Sequence, residues 1–563
     1  MPNKTALFSL NALVIGFMLS STGTAAQPFS VPQKRPSEEP LETPPLEEQP
    51  ASPPLQLPDI RLPPPPAGLP AVSAVYVKQI KLTGNTVFSD QELSALTGAY
   101  QGRRITANEL QRLRYELTLY YVNNGYINSG AIIPDQTVED GVVTIRIIEG
   151  RLNEIDVSGN RRLRDSYIRD RAGLGAGPPL NIKRLGSALQ ILQQNPRIEQ
   201  INGRLEPGAE KGDSILRVDV REARAYELWL DANNYQPPSV GGYQGSVRGI
   251  HRNLTGFGDT LLLVYSGADG LTEWDVDYTL PISARDTELR LGYTYIDSKV
   301  VEDPFDVLDI ENTEQTFSLG LSHPLVKTVN RTFSLALLLD KRESKSHLLG
   351  EPFDFTPAAE NGETDITVLR LSQEWSLRQR SQVLAARSLI SKGVDWLDAT
   401  VNERPRDGRF SAWLGQLQWV RRIGARGNRL LVRADAQWTP HALPSMEQFT
   451  VGGRYSVRGY RENRLVTDKG LVGSVELRIP LWRGGNGVEI NLAPFVDYGW
   501  AGNNNSAQTN PDHIGSVGAG LRGALTKRLL YEVYYGYAFQ DFDDANEDIQ
   551  DDGLSFNLSW RLL

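Results

Sequence analysis

The feature that most restricts what this chain can fold into is a two-residue periodicity that sets in after Ala225 and returns, with no helical period, to the end of the sequence. Leu289, Leu291, Tyr293 and Tyr295 alternate with Glu288, Arg290, Gly292 and Thr294. Leu471, Gly473, Val475, Leu477 and Ile479 alternate with Val472, Ser474, Glu476 and Arg478, and Phe556, Leu558, Trp560 and Leu562 with Asn557, Ser559 and Arg561. Each strand therefore has one apolar face and one polar face. A soluble sandwich shares that alternation, but its connections need no consistent asymmetry.

Here the connections are asymmetric. Sixteen segments begin near Tyr226, Tyr243, Thr260, Trp274, Glu288, Thr316, Phe333, Ile366, Val383, Ser411, Leu430, Leu471, Val488, Ser516, Leu529 and Leu554. The links after even-numbered segments are short (LTGFGD, RQRS, RIGARG, WRGGN, LTKR), whereas those after odd-numbered ones are mostly long and polar, as at 346–363, 393–407, 440–469, 501–513 and 541–552. This predicts a membrane all-β domain over 224–563, an antiparallel sixteen-stranded outer-membrane barrel with an oily exterior and both ends on the short-turn side. Lipid offers no partner for free backbone groups, so the sheet must close on itself.

The rest of the chain divides into three parts. Residues 1–26 carry Lys4, an apolar stretch from Ala6 to Leu19 and small residues at Ala25 and Ala26, the pattern of a secretory signal peptide. Residues 27–74 form a proline-rich tether: 15 of the 34 prolines fall in 27–70, which predicts an extended spacer. From 75 a small α+β pattern follows and then recurs. VYVKQIKLTGN alternates and stops at Gly84-Asn85; SDQE at 89–92 and TANE at 106–109 match capping boxes; Leu110, Leu113, Leu117 and Tyr121 share a helix face; strands follow near Ala131 to Ile133 and Val142 to Ile148. RLNEIDVSGN ends at a second Gly-Asn, 159–160, before a helix reaching Gly173, another carrying Ile182, Leu185, Leu189 and Leu192, and two strands. Two β-α-α-β-β modules, 75–150 and 151–223, are expected, each with a sheet edge open to an added strand.

Several classes of function are disfavoured. A net charge of −9 supplies no basic field for nucleic acid, and the absence of cysteine removes thiolate chemistry and cysteine metal sites. GAGLRG at 518–523 lies in a barrel strand with no helix behind it, and there is no Gly-Lys pair for a phosphate loop. Histidines 251, 323, 347, 441 and 513 lack ligand spacing, and the acidic run DFDDANEDIQDD at 541–552 reads as a hydrated external loop rather than a calcium site. No enzyme activity, cofactor or metal is expected.

Signal peptide, tether, two modules and barrel together resemble the outer-membrane transporters of two-partner secretion (TpsB type, the haemolysin/haemagglutinin secretion-activation family) in the Omp85 superfamily. VGGRYSVRGY at 451–460 carries the superfamily's V-R-G-Y loop motif, PFVDYGWAG at 494–502 resembles its D-x-G strand motif, RNLTGFGDTL at 252–261 is similar to its first barrel turn, and 183–208 is similar to a second POTRA domain. The resemblance covers 75–563. It implies POTRA domains in the periplasm that dock a large secreted partner (TpsA-like), a pore through which that partner leaves, contact with outer-membrane lipid, and the barrel-assembly machinery as a partner in biogenesis; a monomer is expected. The chain ends Trp560-Arg-Leu-Leu563 rather than in an aromatic residue, so recognition by that machinery is expected to rest on the preceding alternation. The proline density of 27–70 leaves little room for the long plug helix of some relatives.

The resemblance also implies that link 440–469 folds into the barrel. Apolar residues take the even positions Ile490, Leu492, Pro494, Val496 and Tyr498, which turns Asp497 inward. Val457, Arg458, Gly459, Tyr460, Asp497 and Gly499 are the candidate gating residues. Arg458 is expected to pair with Asp497, Gly459 to permit a close backbone approach and Tyr460 to pack beside it. Two other functions compete: an Omp85-type factor that inserts other barrels, which requires a laterally opening seam, and a passive porin, for which periplasmic modules and an occluding loop have no use.

Overall fold

The computed structural model describes residues 33–38, 41, 46, 55–56, 74–402, 404–504, 509–542, 544 and 546–563. The expected signal peptide and most of the tether lie outside them. The chain forms two compact units: one contains Tyr226–Arg252, Asp259–Leu563 and the described residues before 49; the other contains the described residues of Gln49–Ala225 and Asn253–Gly258.

In the second of these the order is β1 (Leu55–Gln56), β2 (Val75–Val77), β3 (Gln79–Thr83), α1 (Asp90–Thr97), β4 (Arg103–Ile105), α2 (Ala107–Asn123), β5 (Gly130–Ile132), β6 (Val142–Ile148), β7 (Arg151–Ser158), α3 (Asp165–Gly173), α4 (Ile182–Gln193), β8 (Ile198–Pro207) and β9 (Asp213–Glu222). Both capping boxes form: Ser89 accepts the Glu92 N–H while Glu92 accepts that of Ser89, and Thr106 and Glu109 do the same. They satisfy backbone donors that a helix start leaves without partners. Leu113, Leu117 and Tyr121 of α2 are fully buried against Val143, Ile145 and Ile147 of β6. In the next module Leu185, Leu189 and Leu192 of α4 pack on Leu216, Val218 and Val220 of β9. Truncating one such leucine to alanine costs about 2–5 kcal/mol.

The internal repeat extends to single hydrogen bonds. Asn85 Nδ2 donates to Phe88 O and Asp90 Oδ1, as Asn160 Nδ2 does to Leu163 O and Asp165 Oδ1. Glu149 accepts the N–H groups of Thr86 and Val87, and Glu222 accepts those of Arg161, Arg162 and Leu163. A carboxylate at the end of the last strand thus holds the turn that follows the first.

Two details depart from the expected β-α-α-β-β plan. The opening strand breaks at Lys78 into β2 and β3, because β2 leaves the sheet β3-β6-β5 to pair with β4, a strand between the helices that the sequence pattern did not reveal. The second module's edge is not open as expected. Its sheet order is β1-β8-β9-β7, and β1, from the tether, pairs parallel with β8 through Leu55 opposite Gly203 and Gln56 opposite Arg204.

The other unit is a closed antiparallel barrel of sixteen strands, the first (Tyr226–Asn233) pairing with the sixteenth (Leu554–Arg561) from Trp229 to Asn233. Leu263, Trp274, Leu291, Phe317, Leu319, Leu321 and Leu337 are exposed on its outside, and aromatic pairs such as Tyr265–Trp274 and Phe333–Trp375 lie across neighbouring strands there. A continuous apolar exterior of this kind belongs in lipid, not in water. The fourth strand starts at Leu271 and the sixth at Glu311, earlier than Trp274 and Thr316. Polar residues such as Glu273 and Asn312 look like loop but continue the ladder because their side chains face the wet interior. The link after the third strand (Thr260–Ala268) is only Asp269-Gly270.

Candidate functional site

The site is built on five barrel strands: the seventh (Arg331–Leu348), eighth (Glu363–Arg378), twelfth (Lys469–Arg483), thirteenth (Glu489–Gly502) and fifteenth (Leu529–Ala538). Between the eleventh (Asn428–Trp438) and the twelfth, the chain turns into the interior. There Phe449–Val451 pairs with Leu465–Thr467 in a small hairpin. Alternation on the thirteenth strand leaves Val496 and Tyr498 outside and Asp497, 2% exposed, inside.

Arg458 occupies the tip of the inward segment. Its Nε donates to Asp497 Oδ2 (2.7 Å), its Nη2 to Asp497 Oδ1 (2.8 Å), and its backbone N–H to the same carboxylate (3.1 Å). Nη1 donates to Glu476 Oε2 (2.5 Å) and Nη2 also reaches Ser474 Oγ (3.0 Å), both on the twelfth strand. The guanidinium carbon lies 3.6 Å from the centroid of the Phe495 ring. A planar fork bonded to two carboxylates and stacked on an aromatic face is a use lysine cannot reproduce.

The neighbouring motif residues have separate contacts. Gly459 has φ +91°, and a Cβ there would lie 2.7 Å from the Gly536 carbonyl oxygen on the fifteenth strand. Tyr460 donates its hydroxyl to Gly515 O (2.8 Å) and accepts the N–H groups of Phe539 and Gln540. Val457 is fully buried with Phe449, Val451 and Leu465. A Cβ on Gly499 would stand 2.2 Å from Val451 Cγ1, so the glycine of the D-x-G pattern leaves room for the hairpin.

Other clamps were not legible in the sequence. Glu447, 2% exposed, receives Arg342 Nη1 (2.8 Å) from the seventh strand and Arg370 Nη2 (2.6 Å) from the eighth. Those guanidiniums also pair with Glu314 and Asp340. Asp468, fully buried, accepts the Leu443 N–H (2.9 Å) and Arg406 Nη1 (3.2 Å). Arg454 bonds Glu532 (2.6 Å), Arg461 bonds Asp551 and Glu302 (2.6 and 2.7 Å), and Arg464 bonds Asp544 (2.6 Å). Asp544 and Asp551 of the 541–552 run are thus partners of the inward segment, while Asp541, Glu547 and Asp552 remain exposed as a hydrated loop requires: carboxylates meet arginines that sequence distance conceals. The one local hint is that Arg342 and Arg370 take inward-facing positions of their strands, which marks cations in the interior but not their partner.

The tether enters the same interior. Arg35, 3% exposed, donates to Ser445 O (2.9 Å), Arg342 donates to the Lys34 carbonyl, and Lys34 pairs with Asp275. Residues 36–38 form a turn, with no helix among the described tether residues. The site holds no clustered metal-ligand set among the described residues. What it supplies is a set of charge-assisted bonds fixing one segment to walls on both sides of a pore.

Comparison with known proteins agrees with this construction. The model of the family described as haemolysin secretion/activation protein ShlB/FhaC/HecB matches residues 212–523, and that of the ShlB-type POTRA domain matches 75–150. The outer membrane transporter CdiB of Dickeya dadantii (strain 3937) is 21% identical over 72% of this chain and 73% of its own. The hemolysin transporter protein ShlB of Serratia marcescens is 23% identical over 69% and 70%. The solved structure of CdiB from Escherichia coli, 20% identical, superposes with a TM-score of 0.67 over 92% of this chain and 94% of that one, a likeness of fold. With a family match over more than half its length, the chain belongs to the ShlB/FhaC/HecB haemolysin secretion/activation family, the TpsB-type transporters of the Omp85 superfamily that serve two-partner secretion in the outer membrane.

Proposed function

We propose that this transporter recognises a large partner exoprotein through its periplasmic modules and passes it, unfolded, through the barrel interior once the inward segment moves aside. The observation that carries this reading is the seating of residues 439–468. Arg458 fixes the segment to the twelfth and thirteenth strands, and Glu447 fixes it to the seventh and eighth. A porin gains nothing from such an obstruction. A conduit for one chosen polypeptide does, because it must stay shut to solutes between clients.

The modules supply recognition. The first module's sheet ends in β3 and β5 and the second module's in β7, and edges of this kind accept an extended chain through backbone hydrogen bonds, with side-chain pockets for selectivity. Folding of the cargo outside, as the family resemblance implies, is the bias against return. The test is deletion of residues 75–222, with barrel folding followed by heat-modifiable migration and cargo measured at the cell surface. The reading requires a folded barrel that secretes nothing; cargo at the normal level removes it.

A further inference from the structure

We infer that the cavity where tether, barrel wall and inward segment meet binds a linear oligoamine, whose ammonium groups reach carboxylates on all three elements and hold the segment in place. The closing effect rests on the reading above, that this segment moves aside for cargo; the binding itself does not.

The cavity, of about 320 Å³, is lined by Ser37 and Glu38 of the tether, Glu273 of the fourth strand (Leu271–Pro281), and Tyr455 and Glu462 of the inward segment. The cations around it are committed elsewhere: Lys34 pairs with Asp275, Arg433 with Asp435, and Arg35 with Glu38 (3.1 Å). Glu462 accepts the Arg454 backbone N–H but has no ion pair among the described residues, and neither has Glu273. Burial pushes the Glu462 carboxyl up to about 8, and the Glu38 charge adds to the shift. A carboxylate held in this way takes up a proton unless a cation reaches it. A second observation is independent of charge. Ser37 is 7% exposed, and its Oγ has no hydrogen-bond partner. Leaving a buried hydroxyl unpaired costs free energy, and an ammonium N–H donated to it removes that cost.

The arrangement fits several ammonium groups on one flexible chain better than a single ion. A metal requires its ligands to converge, and no such convergent set occurs among the described residues. Here the acids stand apart on three elements, as the spaced charges of an oligoamine require. Tyr235 and Tyr455, with ring centroids 5.6 Å apart, line the same cavity and offer aromatic faces that attract alkylammonium groups. The methylenes between the charges lie against these rings, while the amine hydrogens go to Glu38, Glu273, Glu462 and Ser37.

Full-length protein purified in detergent is titrated with spermidine by isothermal calorimetry, with heat-modifiable migration confirming that each variant is folded. Saturable binding is expected, weakened about tenfold or more by Glu273→Gln and by Glu462→Gln, the worth of one charge-assisted hydrogen bond. Glu489→Gln, which removes a carboxylate that does not line this cavity, should bind as wild type does. Magnesium should compete no better than sodium at the same ionic strength. In planar bilayers, spermidine should lower the opening frequency of wild type about tenfold and leave that of Glu462→Gln unchanged. Absence of binding, equal weakening by Glu489→Gln, or displacement by magnesium overturns the site. Binding through Glu273 and Glu462 with unaltered opening overturns the closing effect alone, and neither result bears on docking at the modules, which the 75–222 deletion tests.

Discussion

Asp497 receives three hydrogen bonds from one residue, Arg458: two from the guanidinium, at 2.7 and 2.8 Å, and one from the backbone N–H, at 3.1 Å. Side-chain charge and main-chain position are therefore fixed by the same carboxylate. Loss of the arginine leaves Asp497 buried without the cation it pairs with, while Glu476 keeps Arg478 at 2.6 Å, and breaking a buried pair of this kind costs about 3–5 kcal/mol.

Arg458→Ala is accordingly expected to abolish secretion while the barrel still inserts, read as cargo at the cell surface alongside heat-modifiable migration. Arg458→Lys keeps the charge but not the fork and should recover little of the activity. Unchanged secretion by the alanine variant counts against a role for the pair.

Glu447→Gln tests the opposite clamp. It leaves Arg342 and Arg370 facing a neutral amide in place of the carboxylate they share. The inward segment should loosen at that end, and single-channel conductance in planar bilayers should rise with more frequent opening. A trace identical to wild type means that the segment is held without this carboxylate.

In the first module, burial acts to raise the Glu149 carboxyl, but hydrogen bonds from the Thr86 hydroxyl, the Val87 and Thr86 N–H groups and the Tyr121 hydroxyl outweigh it and hold the group below its ordinary value. A lowered folded value means stability that is present above the unfolded value of about 4.3 and lost as pH falls through the folded one. Hydrogen exchange of residues 84–90 in the full chain should be faster in Glu149→Gln than in wild type at pH 7. The difference should vanish once wild-type Glu149 is protonated; a difference that persists there contradicts the assignment.

The seam distinguishes export from insertion of other barrels. Asp231 and Ser559 face each other across it, inside the barrel. A disulfide in Asp231→Cys/Ser559→Cys should leave secretion near the reduced level, because the route is the interior. Arrest on oxidation points to lateral opening.

Much of the barrel was legible because its alternation answers to a single force, the partition of side chains between lipid and a wet interior. Leu291 and Arg290 announce their faces without knowledge of any neighbour. The inward position of Asp497 followed from the same pattern, whereas its pairing with Arg458 across the interior was suggested by resemblance, since no periodicity links residues 39 apart. Glu447 gave no local signal: an isolated acid beside Pro444 looks like any turn, and its meaning lies in two distant arginines. The strand at Leu55–Gln56 was hidden for a related reason, because two residues cannot show a period and the surrounding prolines argue for a spacer. The acidic run at 541–552 was read by its composition, yet its position is set by Arg461 and Arg464.

The most direct test compares two adjacent residues of the twelfth strand that face opposite ways. Ser474 touches Arg458 in the interior, and Val475 is exposed on the outer surface. A photoreactive amino acid is placed at each position in turn, and the partner exoprotein is stalled in transit by a fused, tightly folded domain. The account predicts crosslinks to the cargo from position 474 and none from 475. Crosslinks from 475 alone would contradict passage through the interior.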